Sequence, residues 1–336
     1  MTASRPLVSV IIPTYNYAPF IEQAIRSVER QSYGNLEIIV VDDGSTDGVA
    51  TLVSGLDVAV PVEVLSQPRR GISAARNAGL GRARGAFISF LDADDYWPRG
   101  DQLERQWAFL ERNPEIGWVF GDAQPFVGQN TIGPPYLVDH GYYAEGAAAA
   151  PYRVPITPRM LCTSGFFIPT GTILLRRGCL DRAGPFDESL AMFEDIDLWL
   201  RVLRDHPIAF FPEVLLQRRI HPDNSGERRF LHVGALQQLF AKHDLAREGL
   251  SLETLSSDAW FEAARHHLSR GDIRPARAAL FRSLAARFRP RRAIYFVPML
   301  LGSRGVAALR ALKTGLAAQR ARRPRSVAMA ADRRDN

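Results

Sequence analysis

Cysteine is scarce in this 336-residue chain, which has only Cys162 and Cys179. Neither residue belongs to a CxxC pair or to another spacing typical of a metal site. A single disulfide between them is one alternative, but one pair in a chain of this size is no sign of secretion. We therefore expect two reduced thiols in the cytosol.

Long apolar runs are also missing. The apolar run that follows Arg5 ends at Pro13, and it lacks the length and the small-residue cleavage site of a signal peptide. The longest other candidate, residues 293–301, contains Pro298 and has about half of the ~20 residues of a membrane-spanning helix. We expect a cytoplasmic protein without a membrane-spanning segment.

The glycine-rich loops of many nucleotide-binding proteins are absent. No GxGxxG follows the first predicted strand, which excludes a dinucleotide oxidoreductase. The segment after that strand reads Pro13-Thr14-Tyr15-Asn16 and contains no lysine. This counts against a sugar-1-phosphate nucleotidyltransferase, which would carry a glycine-rich phosphate loop with arginine and lysine at this point.

Charged residues are divided unevenly along the chain, whose net charge is +6. Residues 265–336 hold 18 Lys/Arg against 3 Asp/Glu, whereas the remaining 264 residues hold 24 against 33. An acidic body and a basic tail require separate explanations. The hydrophobic content of 46% is ordinary for a globular protein, so we do not expect disorder throughout.

The first 120 residues alternate β-type runs with amphipathic helical patterns. The β-branched run 8–12 fits a strand buried on both faces, and Ile21, Ala24, Ile25 and Val28 share one face of a helix. This order predicts an α/β fold with a mostly parallel, twisted sheet flanked by helices. Further strands are predicted at 37–41, 62–65, 86–91, 116–120, 171–176 and 208–216.

Helical patterns dominate the C-terminal third of the chain. Residues 124–160 are rich in glycine, proline, alanine and tyrosine without periodicity, and they predict a long loop or insertion. From about Glu227 onward, only helical patterns remain. Helices are predicted at 71–81, 101–112, 194–205, 228–247, 251–270, 274–287 and 291–319.

Three predicted strands each end in a polar cluster, namely 13–16, 42–45 and 92–95. Parallel sheets bind their ligands at the carboxyl ends of the strands, so these clusters mark a candidate site. A capped turn is an alternative for 42–47, because Asp, Gly, Ser and Thr are good turn and N-cap residues. A carboxylate at this depth can also accept a hydrogen bond from a pyrimidine N–H.

Asp92 and Asp94 lie two residues apart at the end of a predicted strand, so their side chains would project to the same side. Two neighbouring carboxylates repel each other, and a divalent cation relieves that repulsion. Magnesium and manganese favour such oxygen ligands. The alternative is a turn or a helix cap near Pro98.

Five segments carry a resemblance to a known family. Their order and spacing resemble family 2 of the inverting glycosyltransferases, which have the GT-A fold, over residues 7–225. The resemblance implies transfer of a sugar from a nucleotide-diphosphate sugar, with a UDP-sugar favoured, to a hydroxyl of a saccharide or lipid-linked acceptor. We expect a role in cell-surface polysaccharide or glycolipid synthesis. The segments are VSVIIPTYN (8–16), VVDDGSTDG (40–48), GISAARNAGL (71–80), FLDADD (90–95) and FEDIDLWLR (193–201).

The resemblance also implies roles for the matching positions. Asp94 would bind Mn²⁺ or Mg²⁺, and His221 would reach the diphosphate or the metal; a plain loop histidine is the alternative for His221. Asp43 would contact the nucleobase and Asp92 the ribose. The full set of expected nucleotide-sugar contacts is Pro13, Thr14, Tyr15, Asp43, Arg76, Asp92 and Ala93.

Asp195 is the expected general base, with Glu194 as its neighbour or substitute. An inverting transfer needs a base on the acceptor side to take the hydroxyl proton as the sugar carbon is attacked. The alternative for Asp195, and likewise for Asp197, is an acidic first turn that complements a helix dipole. A sugar-1-phosphate nucleotidyltransferase and a non-catalytic nucleotide-binding scaffold stay as the other functional hypotheses.

The chain is divided here into a GT-A catalytic domain at 1–226, a helical basic region at 227–325 and a disordered tail at 326–336. Arginines stand between apolar stretches in the basic region, a pattern that favours contact with an anionic membrane surface. A solvated face packed on the first domain and an oligomer contact are alternatives. Nucleic acid is not expected, since no nucleic-acid-binding motif is present. The expected location is the cytoplasm, including its face of the membrane.

Overall fold

The computed structural model describes residues 5–146, 150–162, 166–221, 224 and 233–293. The chain divides into two compact units, of which the first holds residues 1–226 and 234–248. The second unit holds 227–233 and 249–336. Residues 294–319 of the predicted helix 291–319 and the expected disordered tail lie outside the described residues, so both stay predictions.

A single mixed sheet forms the centre of the first unit. Within the described residues its order is β3-β2-β1-β4-β8-β5-β9-β7, with β6 beside β5. All strands except β6, β7 and β8 run in one direction, which confirms the expected mostly parallel sheet. The strands are β1 (Val8–Thr14), β2 (Leu36–Asp42), β3 (Val62–Ser66), β4 (Phe87–Phe90), β5 (Trp118–Val127), β6 (Asn130–Thr131), β7 (Tyr152–Val154), β8 (Leu174–Arg176) and β9 (Ile208–Arg219).

Helices α1 to α9 belong to the first unit and α10 to α12 to the second. A 3₁₀ turn at Thr170–Thr172 precedes β8. The helices are α1 (Ala18–Glu29), α2 (Val49–Ser54), α3 (Ile72–Arg82), α4 (Gln102–Arg112), α5 (Tyr136–Asp139), α6 (Pro158–Cys162), α7 (Arg177–Ala183), α8 (Glu194–Val202), α9 (Val233–His243), α10 (Leu252–Arg270), α11 (Ile273–Ala286) and α12 (Pro290–Ala293).

Both faces of β1 and β2 are buried along their whole length, as the continuous β-branched runs predict. On one face, Val10 and Ile12 join the main core, into which α1 inserts its predicted stripe, including Ile21 and Ile25. On the other face, α3 packs closely because it carries Gly79 where it crosses Ile11. This layered packing fixes the carboxyl ends of the central strands relative to each other.

The segment 124–160 is not the plain loop that its composition predicts. It contains the end of β5, the short strands β6 and β7, and the short helices α5 and α6. The fully buried carboxylate of Asp122 organises it by accepting hydrogen bonds from the backbone N–H groups of Leu137 and Val138 and from the Tyr143 hydroxyl. Elements of two to five residues are too short to show a periodicity.

Neither described cysteine is in a disulfide, which agrees with the expected reduced thiols. Burial raises the pKa of the Cys179 thiol to about 11, so it is an inert core group. Across the described part of the chain, no helix combines the length and the apolar character needed to span a bilayer.

Gly79 provides a test of the packing between α3 and the sheet. A Cβ at this position would lie 2.5 Å from Ile11 Cγ2 in the buried core. We expect Gly79→Ala to lower the free energy of unfolding by about 1–3 kcal/mol through overpacking. The matched control is Gly81→Ala in the same helix, where a Cβ would meet nothing within 4 Å. Denaturant unfolding should find the control as stable as the wild type or slightly more stable; equal stability of both variants would contradict the packing argument.

Candidate functional site

The turns after β1 and β2 are joined by hydrogen bonds. Asn16 adopts a left-handed conformation with a φ of 57°, and its side-chain oxygen accepts a hydrogen bond from the backbone N–H of Thr46 at 2.8 Å. Its own N–H donates to Ser45 Oγ, and the Ala18 N–H at the start of α1 donates to Asp47 Oδ2. Ser45, Thr46 and Asp47 are therefore turn and capping residues, as the alternative interpretation of this cluster predicts.

Asp43 is buried beside these turns and holds the loop that leads into α3. Its Oδ1 accepts hydrogen bonds from Gln67 Nε2 and from the Arg70 N–H, both at 2.8 Å, and its Oδ2 accepts one from the Gly71 N–H at 2.7 Å. A carboxylate has about four acceptor positions, so it keeps room for one further donor. The expected nucleobase contact of Asp43 stays a prediction.

Tyr15 carries a cation on its ring. The Arg69 guanidinium carbon lies 4.0 Å from the ring centroid, and Arg69 Nη1 donates to the Tyr15 hydroxyl at 3.1 Å. The Thr14 hydroxyl is buried and has no hydrogen-bond partner among the described residues. Pro13 and Ala93 are buried, and their expected contacts with the nucleotide-sugar stay predictions.

A buried arginine links the end of β4 to the start of α8. Arg76 is 4% exposed; its Nη2 lies 3.0 Å from Asp92 Oδ1 and its Nη1 lies 2.9 Å from Glu194 Oε1. Burial alone would lower the pKa of the guanidinium, but the charges of Asp92, Glu194 and Asp195 outweigh it and the pKa is raised. Arg76 is thus a fixed cation among three carboxylates from two distant segments.

Asp94 forms a second polar centre with the segment that follows β9. Its Oδ2 lies 2.9 Å from His221 Nε2 and 3.2 Å from Asn224 Nδ2. The Asn224 side-chain oxygen in turn accepts a hydrogen bond from the backbone N–H of His221. The three residues are therefore linked in a closed ring of contacts. Burial raises the pKa of Asp94, the charge of Asp92 raises it further, and the hydrogen bond to His221 opposes the shift.

Asp95 is buried next to Asp94, and the sequence pattern indicates no separate role for it. Its Oδ1 accepts the backbone N–H of Arg219, and the Arg219 side chain donates to the Asp94 carbonyl at 2.9 Å. Burial and then the charges of Asp94 and Asp92 raise the pKa of Asp95 well above its usual range. Asp95 therefore fastens the end of β9 to the end of β4, and this brings His221 to Asp94.

The residues at this centre fit a divalent cation that is bound jointly with a ligand. Asp94 is buried and Asp92 is partly exposed beside it, and a cation would favour the charged form of Asp94, whose pKa is raised by burial and by the charge of Asp92. Among the described residues, no group of three or more His, Cys, Asp or Glu side chains forms a complete metal cage. Magnesium and manganese sites often have only one or two protein carboxylates and complete their shell with phosphate oxygens.

Helix α8 is anchored by Asp197, which is fully buried and which the sequence analysis did not assign to the site. Its carboxylate contacts Arg201 within α8, and Lys242 and His243 from α9, at distances between 2.7 and 2.8 Å. Burial would raise the pKa of Asp197, but these three partners outweigh it and hold the pKa well below its usual range. Lys242 and His243 lie more than 40 residues away in the chain, so no local spacing indicates the cluster.

Five of the predicted site residues thus form two groups in the structure. Arg76 joins Asp92 and Glu194, and Asp94 joins His221. Asp195 lies beside Glu194 in the first turn of α8, where its Oδ1 accepts the Ile196 N–H at 2.7 Å. The roles expected for these residues stay predictions.

The sequence of this chain is similar to those of known glycosyltransferases. The sequence model of Glycosyl transferase family 2 matches residues 9–182. An uncharacterized glycosyltransferase of Rickettsia typhi is 31% identical over 265 residues, which are 76% of this chain and 80% of that protein. The UDP-Glc:alpha-D-GlcNAc-diphosphoundecaprenol beta-1,3-glucosyltransferase WfgD of Escherichia coli is 32% identical over 203 residues, 60% of this chain and 72% of that protein. In relatives from Rickettsia conorii and Rickettsia felis, the match spans only 33% of the protein's length.

Solved structures agree on the fold. The mannosyltransferase PcManGT of Pyrobaculum calidifontis, in complex with GDP-Man and Mn²⁺, covers 94% of this chain and 81% of its own with a TM-score of 0.55. Its sequence identity of 24% supports a statement about the fold alone. The expected GT-A architecture is confirmed by this likeness.

Asp197 gives a test of how α8 is held. We expect Asp197→Asn to lower the free energy of unfolding at neutral pH by about 3 kcal/mol, because the partner cations lose their buried counter-charge. A lowered folded-state pKa means that this contribution is fully present above the unfolded-state pKa of about 4 and is lost as the pH falls through the folded-state value.

Denaturant titrations at several pH values measure this effect. The difference between wild type and Asp197→Asn should be constant between neutral pH and about pH 5, and it should shrink below about pH 4. The control is Asp205→Asn, which removes an exposed carboxylate just beyond the same helix and should change stability little. Equal stabilities of the two variants would show that Asp197 does not anchor α8.

Proposed function

Because the chain belongs to glycosyl transferase family 2, we propose that it transfers a sugar from a nucleotide-diphosphate sugar, with a UDP-sugar favoured, to an acceptor hydroxyl with inversion at C1. The single observation that carries the proposal is the buried Arg76, which contacts both Asp92 at the end of β4 and Glu194 at the start of α8. Arg76 thereby keeps Asp92, which is expected to contact the donor, close to the acidic first turn of α8, which is expected to contact the acceptor.

Donor binding is assigned to the turns at the ends of β1, β2 and β4. Tyr15, with Arg69 across its ring, offers a flat surface for a nucleobase, and Asp43 keeps one acceptor position for a base N–H. The buried Thr14 hydroxyl would gain a partner from the nucleoside. The preference for a UDP-sugar is supported by the relative WfgD, which is named for a UDP-Glc donor.

A divalent cation, Mn²⁺ or Mg²⁺, would be held by Asp94 and His221 together with the donor diphosphate. When bound, it would supply positive charge against the negative charge that develops on the departing diphosphate. The chain's own contribution is to position Asp94, because the Asn224 amide donates to its carboxylate and the Arg219 guanidinium donates to its backbone carbonyl.

Asp195 is the better candidate for the general base than Glu194. The Glu194 carboxylate is engaged by the buried Arg76 at 2.9 Å, and its side chain is only 12% exposed. Transfer of a proton to Glu194 would weaken this ion pair in a poorly solvated place, which is costly. Asp195 would take the acceptor hydroxyl proton while the new C1–O bond forms and the C1–O bond to the diphosphate breaks.

The acceptor side is a saccharide or a lipid-linked saccharide, in cell-surface polysaccharide or glycolipid synthesis. The relative WfgD is named for an acceptor on diphosphoundecaprenol, which is a lipid carrier. A protein that acts on such an acceptor would work at a membrane surface, and the basic C-terminal region is suited to an anionic one.

The reaction is tested with a panel of nucleotide-sugars, with Mn²⁺ or Mg²⁺, by measuring release of nucleoside diphosphate. We expect Asp195→Asn to lower the transfer rate by about 10²–10⁴ and to leave the donor dissociation constant nearly unchanged, because the base acts only in the chemical step. Glu194→Gln keeps a hydrogen bond to Arg76 and should lose less activity. A loss with Glu194→Gln that equals or exceeds that of Asp195→Asn would reassign the base to Glu194.

The cation site is tested by calorimetry of UDP binding with and without Mn²⁺. We expect Mn²⁺ to strengthen UDP binding in the wild type, and we expect Asp94→Asn and His221→Ala to abolish this strengthening, because each removes a proposed ligand. The exposed Asp205→Asn variant is the control and should behave as the wild type. Binding of UDP that is independent of the cation in the wild type would refute the metal-dependent mechanism.

A further inference from the structure

The second unit has an exposed aromatic surface on the far side of its helical hairpin. Helix α11 packs Ala276, Ala279 and Leu280 into a small core with α10. On the opposite side, Phe281 is 64% exposed, and Phe288, just past the end of α11, is 67% exposed. These are the two most exposed large apolar side chains among the described residues, so the hairpin core does not account for them.

The exposed side of α11 has a regular pattern. Arg274, Ala278, Phe281 and Ala285 are all exposed and follow each other at spacings of four, three and four residues, which puts them along one face of the helix. The two alanines leave the Phe281 ring standing above a flat surface. We call the face formed by these four residues, extended by Phe288, the aromatic face.

Arginines outnumber acidic residues in the segment that borders the aromatic face. Residues 271–293 contain seven arginines and one acidic residue, Asp272. Arg282, next to Phe281, lies with its guanidinium carbon 4.6 Å from the ring of Trp260, and Arg289 shares Asp258 with the buried Arg292. One carboxylate therefore serves two of these arginines, and the surroundings of the face keep a surplus of positive charge.

We propose that the aromatic face is a membrane-contact site that inserts Phe281 and Phe288 into the headgroup region of an anionic bilayer while the bordering arginines contact lipid phosphates. The proposal deepens the proposed function, on which it rests for the expectation of a lipid-linked acceptor. Aromatic side chains between cationic ones are the composition of helices that lie in a membrane interface.

The charge and the apolar rings of the aromatic face favour an anionic bilayer over a second copy of the chain or a nucleic acid. A second copy of the chain that docked by the same face would bring an equally positive border and would be repelled. Duplex nucleic acid would neutralise the arginines but would leave two large apolar rings without an apolar environment, and the sequence carries no nucleic-acid-binding motif. An anionic bilayer offers both negative headgroups and an apolar layer beneath them, and the acidic remainder of the chain disfavours contact elsewhere.

The test is flotation of the full chain with vesicles of phosphatidylcholine alone and of phosphatidylcholine mixed with phosphatidylglycerol. We expect binding to the mixed vesicles only, and weaker binding as salt is raised. The double variant Phe281→Ser/Phe288→Ser should lower the partition coefficient by about tenfold or more, because two apolar rings lose their burial. Replacing Arg274 and Arg282 by Gln should lower it by about fivefold for each charge.

Matched controls separate insertion from general effects. Leu52→Ser and Ile132→Ser change exposed apolar residues of the first unit and should bind vesicles as the wild type does. All variants should keep the wild-type unfolding midpoint, since the replaced side chains are exposed. Unchanged flotation of the double phenylalanine variant overturns the proposal, and so does equal binding to both kinds of vesicle.

Two further readouts distinguish this proposal from its alternatives. If sedimentation shows that the wild type dimerises, the double variant is monomeric and neither binds vesicles, the face is a contact between copies and the proposal is wrong. UDP binding to the double variant, measured in the absence of vesicles, should equal that of the wild type. Loss of flotation with intact UDP binding supports the membrane site; a wild type that floats but binds no nucleotide leaves this site standing and refutes the proposed function instead.

Discussion

The site is organised around the cation of Arg76, which is buried among Asp92, Glu194 and Asp195. A buried guanidinium is costly unless carboxylates pair with it, as two do here at about 3 Å, and removing either partner from the buried cation is costly as well. The two ion pairs of Arg76 therefore hold the segment after β4 and the start of α8 together. Helix α3, which carries Arg76, can occupy its place only because Gly79 lets it approach the sheet.

A second level of support surrounds this centre. Asp43 holds the loop before α3, Asp95 fastens the end of β9 to the end of β4, and Asp197 anchors α8. None of the three needs to touch a ligand to matter, because each fixes a backbone segment from which a ligand-facing side chain projects. Acidic residues are concentrated at this edge of the sheet for two reasons, chemistry and positioning.

The sequence predicted the elements whose signals are local. The buried runs of β1 and β2, the apolar stripe of α1 and the polar clusters at the strand ends follow from periodicity and turn chemistry. Other features depend on contacts between distant segments. They are the antiparallel placement of β8 between β4 and β5, the short elements within 124–160, and the support of α8 by Lys242 and His243. A pattern read along the chain carries no information on such pairings, so the roles of Asp95, Asp122 and Asp197 were not found.

The anchoring of α8 by α9 has a consequence for how the protein is made. The family match ends at residue 182, yet two of the three partners of the buried Asp197 carboxylate are residues 242 and 243 of α9. During synthesis, Arg201 can pair with Asp197 as soon as α8 forms, whereas Lys242 and His243 emerge about 40 residues later. We therefore expect the acidic turn at 194–195 to reach its final geometry only after α9 has been made, well beyond the last residue of the family match.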